Sequence, residues 1–157
     1  MSMLLCGCSQ NQSNLSVSSP YEILVKDKML SYYGEKSDFE KVGFDIVSKA
    51  LESTLSKRNN VYVNGKGNIR NIVITSKDVT TYRNISVGDN VHKIENNFNH
   101  EINLKTSYSV LFDGTREINP KDKSAKQDGF IWINYTTNGE TIEKITIYDV
   151  LYGKEMR

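Results

Sequence analysis

A helical pattern of apolar residues occupies the centre of the chain. Its members are four, three and four positions apart and would share one helix face: Val87, Val91, Ile94 and Phe98. Ser86 with Asp89 fits a capping box, although Asp89 or Asn90 would serve equally well as the N-cap. Asn99 is expected to end the helix, because Asn tolerates the left-handed conformation found at many helix ends.

A second helical pattern begins at Ser37-Asp38-Phe39-Glu40, which also fits a capping box. Its apolar positions continue the helical spacing: Phe39, Val42, Ile46, Val47, Ala50, Leu51 and Leu55. Gly43 weakens such a helix by about 1 kcal/mol relative to Ala and is the point at which it would divide in two. The cations that follow at Lys57 and Arg58 suit the end of a helix.

Alternating apolar and polar residues predict strands elsewhere. Two hairpins are expected at residues 61–75 and 130–150, with a single strand at 108–112. Residues 21–25 and 29–33 also read as strands, although Pro20 followed by Glu22 matches a helix start as well. A charged stretch at 113–129 predicts a long mobile loop.

The two hairpins resemble each other. Both contain the pattern I-x-x-I-x-I, at residues 69–74 and 142–147, with an offset of 73 (142 − 69). Their Asn-Gly turns, at 64–65 and 138–139, are 74 apart. The likeness indicates either two copies of one helix-plus-hairpin unit, at about 20–79 and 80–157, or chance, since alternation around an Asn-Gly turn is common. Either origin predicts an α+β domain over residues 20–157, in which helices cover one face of an antiparallel sheet.

The N-terminus carries a candidate lipid-attachment site. Leu5-Cys6-Gly7-Cys8 resembles the lipobox of bacterial lipoproteins, in which Cys8 would receive the lipid. Residues 9–19 are rich in Ser and Asn and would form a flexible tether. No basic segment precedes the Cys and the apolar segment is short, so the start of the signal is expected upstream. The alternatives are a chance CxC or a metal-binding CxC, and the latter lacks further Cys partners.

The central segment also resembles a known group of proteins. Thr81-Tyr82-Arg83-Asn84-Ile85-Ser86-Val87-Gly88-Asp89-Asn90 and the helix after it are similar to a segment of secreted and lipid-anchored proteins from low-GC Gram-positive bacteria, roughly T-x-R-G-I-x-x-G-D-S. That pattern is similar in turn to small α+β modules of the β-lactamase-inhibitor-protein and outer-membrane assembly lipoprotein types. Here Asn84 and Asn99 stand where Gly is usual, and Asn90 where Ser is usual. The resemblance implies an α+β fold and no particular target.

Composition excludes some functions. The chain has 157 residues, with 20 basic and 19 acidic residues interspersed, and no basic stripe that would favour nucleic acid. No apolar run near the start approaches the roughly 20 residues of a membrane span. We expect no cofactor and no metal site, because His92 and His100, the two histidines, have no Cys at ligand spacing. Ser48 and Ser53 lack a nucleophile-elbow context.

The remaining carboxylates and glycines do not form the pattern of a catalytic pair or of a phosphate-binding loop. Asp27, Asp38 and Asp45 lie among Lys residues, which is typical of a solvated surface rather than of a paired acid and base. The two glycines at 65 and 67 lie inside a hairpin and so do not form a phosphate loop. The sequence therefore predicts a protein that is not an enzyme.

The hairpin faces suggest a binding surface. Neighbouring strand residues point to opposite faces, so inward Ile and Val residues leave Tyr62, Trp132 and Tyr148 on the opposite, open face, together with Lys144 and Thr146. Aromatic side chains are favoured at interfaces. The other interpretation is ordinary cross-strand packing of these rings.

The functional hypothesis is a lipid-anchored lipoprotein on the extracytoplasmic face of the cell membrane. It would bind an unknown protein or envelope component through the open sheet face. The alternative is an envelope enzyme or enzyme-accessory domain, which should show a pocket with convergent polar groups and perturbed carboxylates or His.

Overall fold

The computed structural model describes residues 15–99, 102–103, 106–122 and 129–155. These residues contain four short α-helices, one 3-10 turn at Tyr82–Asn84 and twelve strands. The strands are β1 (Glu22–Val25), β2 (Lys28–Ser31), β3 (Asp45–Val47), β4 (Asn60–Val63), β5 (Ile69–Ile74), β6 (Val79–Thr81), β7 (Ile85–Ser86), β8 (Ile102–Asn103), β9 (Ser107–Asp113), β10 (Arg116–Ile118), β11 (Ile131–Thr137) and β12 (Ile142–Asp149). The helices are α1 (Lys36–Lys41), α2 (Ala50–Leu55), α3 (His92–Glu95) and α4 (Val150–Glu155).

The strands form a large and a small sheet. The large sheet has the order β10-β9-β11-β12-β5-β4-β3, with β8 also paired to β9, and only β3 with β4 run parallel among its described strands. The small sheet has the order β2-β1-β6-β7. The fold is therefore α+β with mainly antiparallel sheet, as the sequence predicted. The expected strands at 21–25 and 29–33 are also confirmed, as β1 and β2.

The repeated Ile pattern has a structural explanation. Ile72 pairs with Ile147 and Ile74 with Ile145 across the β5–β12 junction. Ile145 is the counterpart of Ile72, and Ile74 is the counterpart of Ile147, at the offset of 73. Replacing both residues of the first pair by their counterparts therefore gives the second pair. This symmetry relates the two hairpins by a local two-fold rotation.

Each hairpin also contains a β-bulge at the equivalent position. Tyr62 pairs with Asn71 but Val63 pairs with Ile69, which leaves Arg70 as the extra residue in β5. In β12, Thr136 pairs with Lys144 but Thr137 pairs with Ile142, which leaves Glu143 as the extra residue. In a regular strand, residues three positions apart face opposite sides, but a bulge shifts this alternation by one residue. The two Ile residues of each Ile-x-x-Ile segment therefore lie on the same face. Because a shared bulge is not part of a generic hairpin, it favours the repeat interpretation.

The hydrophobic core lies between the two sheets. The face of the large sheet that carries Ile72, Ile133 and Ile147, here called the inner face, joins one buried cluster with Ile23 of the small sheet. Phe39 of α1 and Ile94 of α3 belong to the same cluster and are fully buried. The opposite face of the large sheet, here called the outer face, carries α2 and α4. Helices thus pack on both faces of the large sheet.

The helix expected from residue 38 onward is divided. It ends after α1, Gly43 turns the chain with φ 95°, and residues 45–47 become strand β3 before α2 begins. The capping-box prediction at Ser37 is wrong, since α1 begins at Lys36 and Glu35 precedes it without a side-chain cap. Pairing of β3 with the buried strand β4 overrides the helical periodicity here.

The apolar stripe predicted for α2 does not face the core, which is a second correction to this helix. Leu51 and Leu55 are 63% and 71% exposed, whereas Ser53 faces the sheet and is fully buried. The reason is polar. Asn60 and Asn71 on the outer face donate to the Ser53 carbonyl and hydroxyl, at 3.5 and 2.9 Å. The Ser53 hydroxyl satisfies the buried Asn71 donor, which a Leu side chain in its place would leave unpaired.

The central segment forms a turn followed by one helical turn. Val87, Val91, Ile94 and Phe98 are all buried, as the spacing predicted. The helix itself is short, because Gly88 has φ 91° and helix α3 begins only at His92. Val91 occupies the N-cap position without a side-chain cap, so none of the three predicted residues is the N-cap, although the Asn90 side chain accepts a hydrogen bond from the His92 N–H at 2.9 Å. Asn99 does not have the expected left-handed conformation.

Asp89 and Arg83 hold this segment in place. The Asp89 carboxylate accepts from the Ser86 N–H and from Lys93 Nζ, both at 2.8 Å. Arg83 has φ 58° and pairs with Glu117 at 2.9 Å. Asn84 also has φ 58°, a conformation that suits the Gly usual in the related pattern. The residues that carry the family resemblance therefore have structural roles.

The predictions for the N-terminal segment and for the loop at 113–129 have different outcomes. The predicted lipid-attachment residue Cys8 lies outside the described residues. The tether expected up to residue 19 is shorter, because Val17 is buried and its N–H donates to Asn84 Oδ1. The predicted loop at 113–129 contains strand β10, a correction to that prediction. None of the helices in the described part of the chain is long and apolar enough to cross a membrane.

Candidate functional site

The three predicted aromatic residues lie in one row across the large sheet. Trp132 pairs with Tyr148, Tyr148 pairs with Asn71, and Asn71 pairs with Tyr62. Because directly paired residues project from the same side of a sheet, all three side chains share the outer face. Their common placement follows from the alternation seen in the sequence.

Their exposure differs from the prediction. Tyr62 is only 8% exposed, with its ring 5.7 Å from that of Tyr152 on α4. Trp132 is half-buried and packs against a small apolar cluster of Leu111, Ile118 and Phe130. The expectation of an exposed ring is therefore wrong for Tyr62, because α4 covers it, whereas Trp132 and Tyr148 are both half-buried. Tyr148 alone of the three lines an open cavity.

That cavity, here called the outer groove, has a volume of about 410 Å³. Strands β5, β11 and β12 form its floor, and helices α2 and α4 form one wall. Its lining residues are Thr54, Asn71, Asn134, Thr136, Lys144, Thr146, Tyr148 and Tyr152. The volume lies within the range of about 300–1,000 Å³ that is typical of small-molecule sites.

The wall of the outer groove is held together by hydroxyl groups. Thr54 Oγ1 and the Tyr152 hydroxyl lie 3.0 Å apart, and each is 3.3 Å from the Ala50 carbonyl oxygen. The Tyr148 ring packs 5.7 Å from the Tyr152 ring. Burial raises the pKa of the Tyr148 phenol, and the neighbouring Tyr152 adds to the increase. Tyr148 is therefore a neutral hydrogen-bonding group at neutral pH.

The floor is polar and ordered by side-chain hydrogen bonds. Asn134 Nδ2 donates to Ser107 and Ser109 Oγ, each at 2.7 Å, which fixes the orientation of its amide. Asn71 is fully buried and donates through Nδ2 to Ser53 Oγ at 2.9 Å. Asn71 Oδ1 has no hydrogen-bond partner among the described residues. A buried unpaired acceptor costs about 1–3 kcal/mol, and this oxygen lies below the floor with almost no surface open to the groove.

Lys144 is the only charged residue among the described lining residues. It is half-buried on β12, directly opposite Thr136. No carboxylate, histidine or cysteine occurs in this described part of the lining. The outer groove thus combines one positive charge with neutral hydroxyl, amide and phenol groups, which suits recognition of a polar ligand.

Other candidate chemistry lies elsewhere. His92 is exposed on α3 and contacts Glu95 Oε2 at 2.7 Å, and a hydrogen bond from His92 helps lower the Glu95 pKa. His100 lies outside the described residues. Within the described ranges, no three His, Cys, Asp or Glu side chains are grouped so that they could hold a metal ion. Ser53 is buried as an acceptor for Asn71 and is not presented to a cavity.

Part of the groove was within reach of sequence reasoning. Lys144 and Thr146 have the same strand parity as Tyr148, and Asn134 and Thr136 have that of Trp132. The contributions of Thr54 and Tyr152 were not, since they depend on how α2 and α4 dock. Comparisons with protein-family models, with curated proteins and with solved structures found no match.

Proposed function

We propose that this protein is a non-catalytic binding module, anchored by lipid at Cys8 to the extracytoplasmic face of a bacterial cell membrane, and that the outer groove holds its ligand. The observation that carries the proposal is the groove itself. It is an open cavity on an ordered sheet face, with aromatic rings on one side and hydrogen-bonding groups below.

The lining favours binding over the alternative of an envelope enzyme. General acid–base chemistry needs a titrating group near the operating pH, and the groove offers a lysine, two tyrosines and neutral amides and hydroxyls. The fixed amide of Asn134 and the paired hydroxyls of Thr54 and Tyr152 instead present a preorganised surface. Preorganisation reduces the entropy cost of binding.

The position of the groove also indicates what kind of ligand fits. Its floor strands β11, β12 and β5 are each paired on both sides within the large sheet. Their backbone groups are already used, so a peptide cannot bind there by adding a strand. We infer that the ligand is an envelope component recognised through side chains.

A groove-filling substitution tests this function. Thr146→Trp would fill the floor, and capture of envelope material by the immobilised chain should fall at least tenfold. The matched control is Thr115→Trp, at an exposed position in the β9–β10 turn outside the groove lining, which should capture normally. Circular dichroism would establish that both variants are folded. Undiminished capture by folded Thr146→Trp would refute the assignment of the groove.

A further inference from the structure

Lys144 differs from the other partly buried cations of the protein. Among the described residues with stated exposure, four lysines or arginines are half-buried: Arg70, Arg83, Lys93 and Lys144. The first three pair with Asp149, Glu117 and Asp89, at 2.8, 2.9 and 2.8 Å. Lys144 has no salt bridge and no hydrogen bond to any described side chain.

The surroundings of Lys144 indicate the charge of a ligand. Lys144 is half-buried in the groove and has no counter-ion among the described residues, so solvent would screen an anion bound to it less than one bound to a fully exposed lysine. The other described lining residues are neutral, so they neither satisfy this charge nor add a second one. The groove therefore matches a ligand with one negative charge.

The neutral groups indicate the rest of the ligand. Thr136 and Thr146 flank Lys144 on the floor, beside the half-buried amide of Asn134. The hydroxyls of Thr136 and Thr146 both donate and accept, whereas Asn134 Oδ1 only accepts. They match a ligand that carries several hydroxyl groups. The rings of Tyr148 and Tyr152 offer an apolar surface against which a flat ligand face can pack.

We propose that the outer groove binds a sugar that carries one carboxylate, of the uronic acid type. Lys144 pairs with the carboxylate, the floor hydroxyls and amide bind the ring hydroxyls, and a tyrosine ring packs on the face of the sugar. This inference rests on the proposed function of the groove and specifies its ligand class. It also accounts for the unpaired cation at this site.

A titration of the full chain with D-glucuronic acid tests the proposal, followed by ¹H–¹⁵N NMR at neutral pH. We expect shift changes at the amides of Asn134, Thr136, Lys144 and Thr146, and a weaker response as salt increases. D-Glucose, the neutral analogue, should bind at least tenfold more weakly. Acetate, which supplies the charge alone, should also bind at least tenfold more weakly.

Substitutions of the lysine isolate its contribution. Lys144→Gln should weaken glucuronate binding at least tenfold and leave glucose binding within twofold. Lys144→Arg keeps the charge and should remain within about threefold of the parent chain for glucuronate. Lys66→Gln, which removes an exposed charge in the β4–β5 turn outside the groove lining, should change neither affinity. The amide dispersion of each variant would report its folding.

The possible results distinguish an error in the proposed ligand class from an error in the proposed function of the groove. Equal affinity for glucose and glucuronate, or no effect of Lys144→Gln, would overturn the acidic component. Equal affinity for acetate and glucuronate would overturn the sugar component. No response to any sugar, while Thr146→Trp still blocks envelope capture, would overturn the ligand class and leave the proposed function intact. Shift changes confined to residues outside the groove would overturn both.

Discussion

Replacing Phe98 by Ala should test the packing of the central segment against the large sheet. Phe98 is 4% exposed and follows helix α3 directly. Its ring centroid lies 5.9 Å from the rings of both Phe112 on β9 and Tyr135 on β11. The Arg83 guanidinium carbon lies 4.9 Å from the same centroid on another side. The substitution therefore removes a ring that joins the central turn to two neighbouring strands.

The expected cost is large for a domain of this size. Truncation of a buried Phe to Ala typically costs about 3–5 kcal/mol, through lost transfer energy and the cavity that remains. Loss of the cation–π contact adds about 0.5–1 kcal/mol. Total stabilities of about 5–15 kcal/mol are usual, so the variant should keep its fold with a much reduced margin. A decrease in melting temperature of about 6–20 °C corresponds to this loss.

Urea denaturation provides the measurement. The chain contains a single tryptophan, Trp132, whose fluorescence reports the large sheet, while far-ultraviolet circular dichroism reports the whole fold. Coincident transitions would justify a two-state free energy. The matched control is Leu55→Ala, because Leu55 also belongs to a helical stripe in the sequence but is 71% exposed. Its loss should be within about 0.5 kcal/mol.

A specific result would refute this reasoning. If Phe98→Ala costs less than about 1 kcal/mol, Phe98 does not occupy the core and the central segment does not pack as described. If Leu55→Ala costs as much as Phe98→Ala, α2 instead turns its leucines inward. In that case the wall of the outer groove would be wrong as well.

Two further predictions concern the anchor and the buried phenols. When the chain is expressed behind a functional upstream signal, Cys8→Ser should release it into the medium, since two acyl chains are needed for stable anchoring. Membrane fractionation measures this, and unchanged partitioning would contradict the lipid anchor. Burial raises the pKa of Tyr32 above its ordinary value of 10.0, as does the charge of Asp149. The unfolded chain therefore ionises first, and the free energy of unfolding should be steady below pH 10 and fall as the pH rises above it. Tyr32→Phe should weaken that fall, and urea titrations at pH 9 and 11 that gave equal values for the parent chain would contradict the burial of this phenol.

Sequence reasoning and structure agree best where the signal is local. Alternation located both large hairpins and the row that contains Trp132 and Tyr148, because neighbouring strand residues face opposite ways wherever the strand lies. The constant offset of 73 between Ile72 and Ile145 is a local signal of the same kind, which the sequence alone leaves open between a repeated unit and chance. The equivalent bulges at Arg70 and Glu143 explain why the repeated pattern does not follow a period of two.

Prediction failed where a long-range contact outweighed a local preference. The helical periodicity between Phe39 and Leu55 is real in the sequence, but pairing of β3 with β4 interrupts it. The polar requirements of Asn60 and Asn71 then place Ser53 against the sheet and Leu55 in solvent. Asn71 lies 18 residues from Ser53 in sequence, so no local pattern around α2 contains this information.

The sequence by itself determined the α+β class, the two large hairpins and the strands β1, β2 and β9, because backbone geometry links these to residue spacing alone. Only the tertiary structure decided which part of the outer face stays open. Helix α4 covers Tyr62 and leaves Tyr148 beside a groove, and α2 contributes Thr54 to its wall. The isolation of Lys144 from any described carboxylate is decided in the same way, because burial and ion pairing depend on which distant segments pack together.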